Sequence, residues 1–247
     1  MRVQLFVTCL VDQFRPSVGE ATVEILERCG CTVEFDDRQT CCGQPAFNSG
    51  HHEEAKAVVA RTIDLLAEWL DEGGDAIVCP SGSCSAMIAH SSELLADDPV
   101  RSEKARRVAE RTWELTQFLI DEMKIDDLES SWKGTITLHD ACHGLRDLGI
   151  RDQPRRLLAK VKGLEVKECA SCDRCCGFGG TFSVNYPLIS GAMADDKIEE
   201  IDASGVDAVV SGDVSCLMQL EGRLQATNSR VKALHLAQLL VERDAGS

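Results

Sequence analysis

The sequence predicts an α/β protein built from two copies of one parallel-sheet unit, and two observations predict it. First, cysteine landmarks recur at nearly one offset. Cys41-Cys42-Gly43 returns as Cys175-Cys176-Gly177 after 134 residues, Cys9 as Cys142 after 133, and Cys84 as Cys216 after 132. Three landmarks in order at one period point to a duplicated domain, and two copies are too few for a solenoid. Second, short β-rich runs alternate with stretches of helical periodicity, which implies parallel strands joined by right-handed crossovers. The expected architecture is a pair of Rossmann-like domains related by a pseudo-twofold. Residues 1–130, with a linking helix, form the first and residues 131–247 the second.

The elements follow in order. Residues 3–7 read as a strand. Val18, Ala21, Ile25 and Leu26 then mark one face of a helix that stops at Cys29-Gly30, where glycine suits the C-terminal cap. Residues 31–35 form the next strand, followed by the Cys-Cys-Gly loop. A helix with Ala55, Val58, Val59, Thr62, Leu66, Trp69 and Leu70 on one stripe comes next. Residues 75–78 run as a third strand into Cys79, and a short helix starts after Ser83. The second half repeats this order: a strand at 135–138 ending near Cys142, a helix at 153–161, a strand at 164–166, the Cys-Cys-Gly loop, a helix at 188–201, a strand at 208–210 and a helix opened by Cys216. Residues 231–234 and one more helix close the chain. One long helix, with Ala105, Val108, Thr112, Leu115 and Leu119 in register, is expected to join the halves. A polar linker at 126–131 follows it and marks the boundary.

The formal charge of −15 argues against nucleic-acid binding, which needs a basic footprint. It serves solubility or gives a docking face for a basic partner. Thirteen cysteines cannot all pair. With no signal-peptide pattern and no apolar run of transmembrane length, a reducing, cytoplasmic setting is expected, where clustered cysteines mean metal or catalysis rather than disulfides.

The repeated cysteines all fall where a strand or loop passes into a helix. In an open α/β sheet that is the ligand-binding carboxyl edge. Cys9, Cys41, Cys42 and Cys84 can thus converge on one point, and Cys142, Cys175, Cys176 and Cys216 on another. Several thiolates at one point need a cation between them. Iron–sulfur clusters and zinc both meet that need, and the adjacent cysteines suit a larger, multi-iron group better than one tetrahedral ion. Buried structural cysteines would explain single positions but not two repeated sets of four.

At these residues the chain resembles the lactate utilization protein A family. More broadly it resembles the CCG cysteine-rich proteins, which include the cysteine-rich subunit of heterodisulfide reductase and the iron–sulfur subunit of glycolate oxidase. Cys41-Cys42-Gly43-Gln44-Pro45-Ala46-Phe47-Asn48-Ser49-Gly50, Pro80-Ser81-Gly82-Ser83-Cys84, Cys175-Cys176-Gly177-Phe178-Gly179-Gly180-Thr181-Phe182-Ser183-Val184 and Asp213-Val214-Ser215-Cys216-Leu217-Met218 carry the resemblance, which covers essentially the whole chain. It implies one [4Fe-4S] cluster per domain, cubane or non-cubane, and electron transfer within a soluble complex that oxidises L-lactate to pyruvate. The implied partners are a second iron–sulfur protein and a third subunit. Two other readings stay open: a catalytic, heterodisulfide-reductase-like thiol/disulfide subunit, and a non-redox zinc-binding scaffold. The heterodisulfide reductase relatives carry CxxC where this chain has four residues between Cys79 and Cys84, and the second copy has only Cys216. The two sites are therefore expected to differ.

Other residues have two readings each. Cys79 is either a fifth cofactor ligand of the first site or a strand-end residue. Cys29 and Cys31 flank a helix end and read as structural. Cys169, Cys172 and Cys175 form a C-x2-C-x2-C run like part of a ferredoxin ligand set, but lack the fourth cysteine followed by proline. Cys172 could instead be an auxiliary thiol of the second site. His139-Asp140-Ala141-Cys142-His143 places two histidines beside a candidate ligand, and His143 either serves the site or fixes local structure. His51-His52 reads as solvated. The 177–180 glycines lack the Gly-Lys-Ser/Thr of a phosphate loop and are read as letting backbone approach a cluster. Arg146, Arg151, Arg155 and Arg156 could bind a carboxylate but suit a solvated face better.

Overall fold

The β-branched runs do form strands. The computed structural model describes residues 1–243, and in it β1 (Arg2–Leu5), β2 (Thr32–Glu34), β3 (Ala76–Cys79) and β4 (Thr112–Glu114) form one sheet in the order β2-β1-β3-β4. Strands β5 (Ser131–Leu138), β6 (Lys162–Val166), β7 (Ala208–Ser211) and β8 (Lys232–His235) form a second in the order β6-β5-β7-β8. Every pairing is parallel, and the second sheet repeats the first strand for strand. The central strands β3 and β7 are buried throughout, as parallel strands covered on both faces must be. The predicted fold class holds. Residues 244–247, which the sequence assigns to the end of the second domain, lie outside the described residues.

The expected linking helix is not one helix. The helix Pro99–Arg111 ends, β4 follows, and a short helix Leu115–Gln117 runs into a π-helical turn Phe118–Glu122. Thr112 and Trp113 favour an extended backbone, and β3 offers an open edge whose Ile77, Val78 and Cys79 pair with Thr112, Trp113 and Glu114. Ladder hydrogen bonds along that edge outweigh the weak helical preference of these residues.

The halves embrace reciprocally. The segment after β4 packs on the second copy's helix Asp152–Leu158, and the helix after β8, Leu236–Val241, packs on the first copy's helix Pro16–Arg28. Likewise the helix after β3, Gly82–Ala89, meets Cys142–Asp147, while the helix after β7, Val214–Ala226, meets Cys9–Phe14. Each surface meets its own counterpart, the signature of a twofold arrangement. One apolar core spans the junction, joining Val3, Val78, Leu115, Phe118 and Leu119 to Ile136, Leu138, Val210, Leu236 and Leu240. Where two of these helices meet, a Cβ on Gly82 would stand 3.0 Å from the Cα of Gly144.

Candidate metal centres

The parallel strands deliver the cysteines to one edge. Cys9 and Cys142 open the helices after β1 and β5, and Cys84 and Cys216 lie in the first turn of those after β3 and β7. The Cys-Cys-Gly loops follow β2 and β6. In both copies the glycine has φ of 86°, in the left-handed region. A Cβ would fall 2.7 Å from Val59 Cγ2 at Gly43 and 2.6 Å from the Ser190 carbonyl oxygen at Gly177. Only glycine fits, and its N–H donates to the sulfur of Cys41 or Cys175, 3.4 Å away in each copy.

In the first set Cys9 Sγ lies 3.9 Å from Cys41 Sγ, and Cys42 Sγ lies 3.2 Å from Cys84 Sγ. In the second set the Sγ atoms of Cys176 and Cys216 and a ring nitrogen of His139 lie within 4.8 Å of one another. All eight repeated cysteines line a single cleft of about 280 Å3 between the two halves. The electrostatics match across the copies at the first two positions. The neighbouring Cys42 thiol and then Cys9 pull Cys41 down to about 3, and Cys142 and Cys176 pull Cys175 down to about 2. Their partners Cys9 and Cys142 are pushed up by the same hydrogen bonds and by burial. The first set thus favours one thiolate, while in the second Cys176 also draws Cys216 down, to about 6, where its counterpart Cys84 is pushed up; only a shared cation can fully ionise either set. Soft donors in this number, with backbone N–H groups aimed at sulfur, fit an iron–sulfur group.

A family model described as a cysteine-rich domain, CCG, matches residues 3–89 and again residues 136–221. Lactate utilization protein A of Bacillus cytotoxicus is 46% identical over 243 residues, covering 98% of this chain and 100% of that protein. The protein of the same name from Halalkalibacterium halodurans is 45% identical over 240 residues, covering 97% and 96%. The chain belongs to the lactate utilization protein A family. Among solved structures, a hypothetical protein from Helicobacter pylori matches all of this chain with a TM-score of 0.66 at 13% identity. This chain spans 49% of that one, and the likeness concerns the fold alone.

The remaining sequence candidates divide in this family member. Cys79 is fully buried and does not line the cleft; its thiol donates to the Ser81 carbonyl at 3.7 Å, beneath Cys84. Cys31 sits in the shared core and Cys29 packs against it. His143 lines the cleft and pairs with Asp147 at 2.6 Å. Arg155 is taken up by Asp140, at 2.9 Å to each carboxylate oxygen, and by Glu168, which leaves no free fork for a carboxylate substrate. His51 and His52 are exposed.

Cys169 and Cys172 form a pair of their own, Sγ to Sγ 2.9 Å, and neither lines the cleft. Hydrogen bonding from Cys172 draws the half-buried Cys169 down to about 6. Alkylation of Cys169 should therefore proceed with a midpoint near that pH, and Cys172→Ala should move the midpoint up towards the ordinary thiol value of 9.0. Identical pH profiles in the two proteins would rule out the pairing.

Sequence reasoning missed three residues that build the site. Lys197 is fully buried and spends its three donors on the carbonyls of Ser171, Cys172 and Arg174, at 2.7, 3.2 and 3.1 Å. It thereby shapes the loop leading to Cys175. Its signal was a lysine on the same face as Ala194, Ile198 and Ile201. Asp213 is buried and crosses between the halves, accepting from Ser81 Oγ at 3.1 Å and Ser83 N at 2.9 Å. Burial alone would lift its carboxyl, but hydrogen bonds from Ser215, Ser83 and Ser81 outweigh that and hold it below its ordinary value. The third, His139, was seen only as a neighbour of Cys142.

Proposed function

We propose that this chain is an iron–sulfur electron-transfer subunit of a cytoplasmic complex that oxidises L-lactate to pyruvate, working with a second iron–sulfur protein and a third subunit. The observation that carries the reading is the single cleft lined by two matched sets of four thiols. Cys9, Cys41, Cys42 and Cys84 would hold one centre, and Cys142, Cys175, Cys176 and Cys216 the other, with one [4Fe-4S] group in each. Such a group supplies one-electron redox chemistry when bound. The chain's own part is to converge the thiols, to present the N–H groups of Gly43 and Gly177 to sulfur, and to enclose both sets between the halves. Residues 1–130 and 131–247 are the two duplicated units on this reading.

The lactate assignment draws on the printed names of relatives 44–46% identical over nearly their full lengths. Val184, Tyr186, Leu188 and Ile189 are exposed apolar side chains, and Val184 borders the cleft. That patch supports association with other subunits. No helix among the described residues is long and apolar enough to cross a membrane.

Anaerobic purification with iron and sulfide counting tests the reading. The expected result is a brown protein with two clusters per chain, reduced by L-lactate only when the partner subunits are added. A colourless protein holding zinc would overturn it. Cys9, Cys41, Cys142 and Cys175 are partly exposed in the cleft. That access favours one alternative, thiol/disulfide chemistry on this chain itself, and turnover by the isolated chain would move the assignment there.

A further inference from the structure

The two copies share a backbone but not the donors at the foot of each thiol set. After β1 the N–H of Phe6 donates to the Val78 carbonyl at 2.9 Å, and after β5 the N–H of His139 donates to the Val210 carbonyl at 2.8 Å. Phe6 and His139 therefore occupy one place in the repeat. The next strand inward ends in Cys79 in the first copy and in Ser211 in the second. Phe6 is fully buried in one apolar cluster with Cys42, Cys79 and Cys84. The first copy thus surrounds its thiols with hydrocarbon and one more sulfur, whereas the second offers an imidazole.

That imidazole is 2% exposed, and among the described residues no group meets either ring nitrogen in hydrogen-bond geometry; its polar influence is on the Cys216 thiol, which it helps Cys176 to draw down. A neutral imidazole carries one donor and one acceptor. Leaving a buried polar group unmatched costs stability, so a buried imidazole is kept where something takes up its nitrogens. A ring nitrogen of His139 and the sulfurs of Cys176 and Cys216 lie within 4.8 Å of one another, so three donors face one point.

We propose that His139 is a nitrogen ligand of the second centre, alongside Cys176 and Cys216, so that the chain carries one centre with sulfur ligands alone and one with mixed ligands. The proposal rests on the iron–sulfur reading above. A neutral imidazole adds a nitrogen donor to the second centre without adding charge to its thiolates, so the two centres differ in their donors although each keeps four thiols.

The test uses the full chain purified anaerobically, reduced with dithionite, at natural abundance and with 15N-labelled histidine. Pulsed EPR should show strong nitrogen coupling at one of two centres, changing from the 14N to the 15N pattern on labelling. His139→Phe, which copies the first half, should abolish the coupling, spare the other centre's signal and shift the midpoint potential of the one coupled centre. His143→Gln should leave the coupling intact. A wild-type chain that holds both centres without nitrogen coupling, or coupling that survives His139→Phe, would overturn the proposal alone. Absence of iron and sulfide from the wild type would overturn the iron–sulfur reading and the proposal with it. Should His139→Phe fail to fold, the labelled wild type decides by itself.

Discussion

Replacing Cys42 or Cys176 with serine is expected to remove about half of the bound iron, one centre's worth, and to leave the other half in place. Both cysteines are buried, at 4% and 3% exposure, and both lie beside a second buried thiol of their own set, Cys84 or Cys216. A serine hydroxyl keeps the shape but not the soft thiolate that iron–sulfur groups select. Each position also belongs to an apolar cluster, where an unmatched hydroxyl costs about 1–3 kcal/mol, a destabilisation a domain of this size tolerates. Iron and sulfide counts on the two single variants and the double variant check the point. The double variant should bind neither cluster. Full iron content in both single variants would show that the ligands have been misassigned.

Glu114→Gln is expected to stabilise the protein by about 3 kcal/mol at pH 8 while changing little at pH 4.5. Glu114 is 3% exposed at the junction of the halves, and burial pushes its carboxyl from 4.5 up to about 7. The folded state therefore keeps a proton that the unfolded chain has released. The stability this gives is complete below pH 4.5 and is lost as the pH rises through 7. A shift from 4.5 to about 7, at 1.36 kcal/mol per unit, sets the size. The glutamine carbonyl can still accept from the backbone N–H groups of Thr116 and Gln117 that Glu114 now caps at 2.8 and 3.2 Å. The raw wild-type profile would hide this. Burial takes His235, which caps the corresponding helix of the other half, from 6.5 down to about 4. Its slope has the opposite sign, because there the unfolded chain binds the extra proton, and stability rises between pH 4 and 6.5. The difference between wild type and variant, from denaturant unfolding at each pH, isolates the carboxylate. A constant difference from pH 5 to 8 would show that Glu114 does not titrate in that window.

The sequence made the duplication, the parallel sheets and the eight converging cysteines legible because each leaves a one-dimensional trace. Period, alternation and helix-start position survive without knowledge of contacts. Strand β4 did not survive that reading, since Ala105, Val108, Leu115 and Leu119 keep helical spacing across it. The repeat itself carried the missing signal. Glu114-Leu115-Thr116-Gln117-Phe118-Leu119 answers to His235-Leu236-Ala237-Gln238-Leu239-Leu240, and the segment ending at His235 is strand β8. His139 and Asp213 were obscure for another reason. Their importance lies in what they face across the fold, two sulfurs in one case and the opposite half in the other, and no local pattern encodes that.

The shared core has a consequence for how such a protein can be divided. Leu115, Phe118 and Leu119 from one half and Leu236, Leu239 and Leu240 from the other are buried in one common cluster. Either half alone would turn that cluster towards water, losing about 25 cal/mol for each Å2 of apolar surface uncovered. A single unit of this kind would therefore need a second copy to cover it, and neither half can be cut out as a free-standing module. Within that mutual dependence the copies differ in detail at the strand ends, phenylalanine against histidine and cysteine against serine.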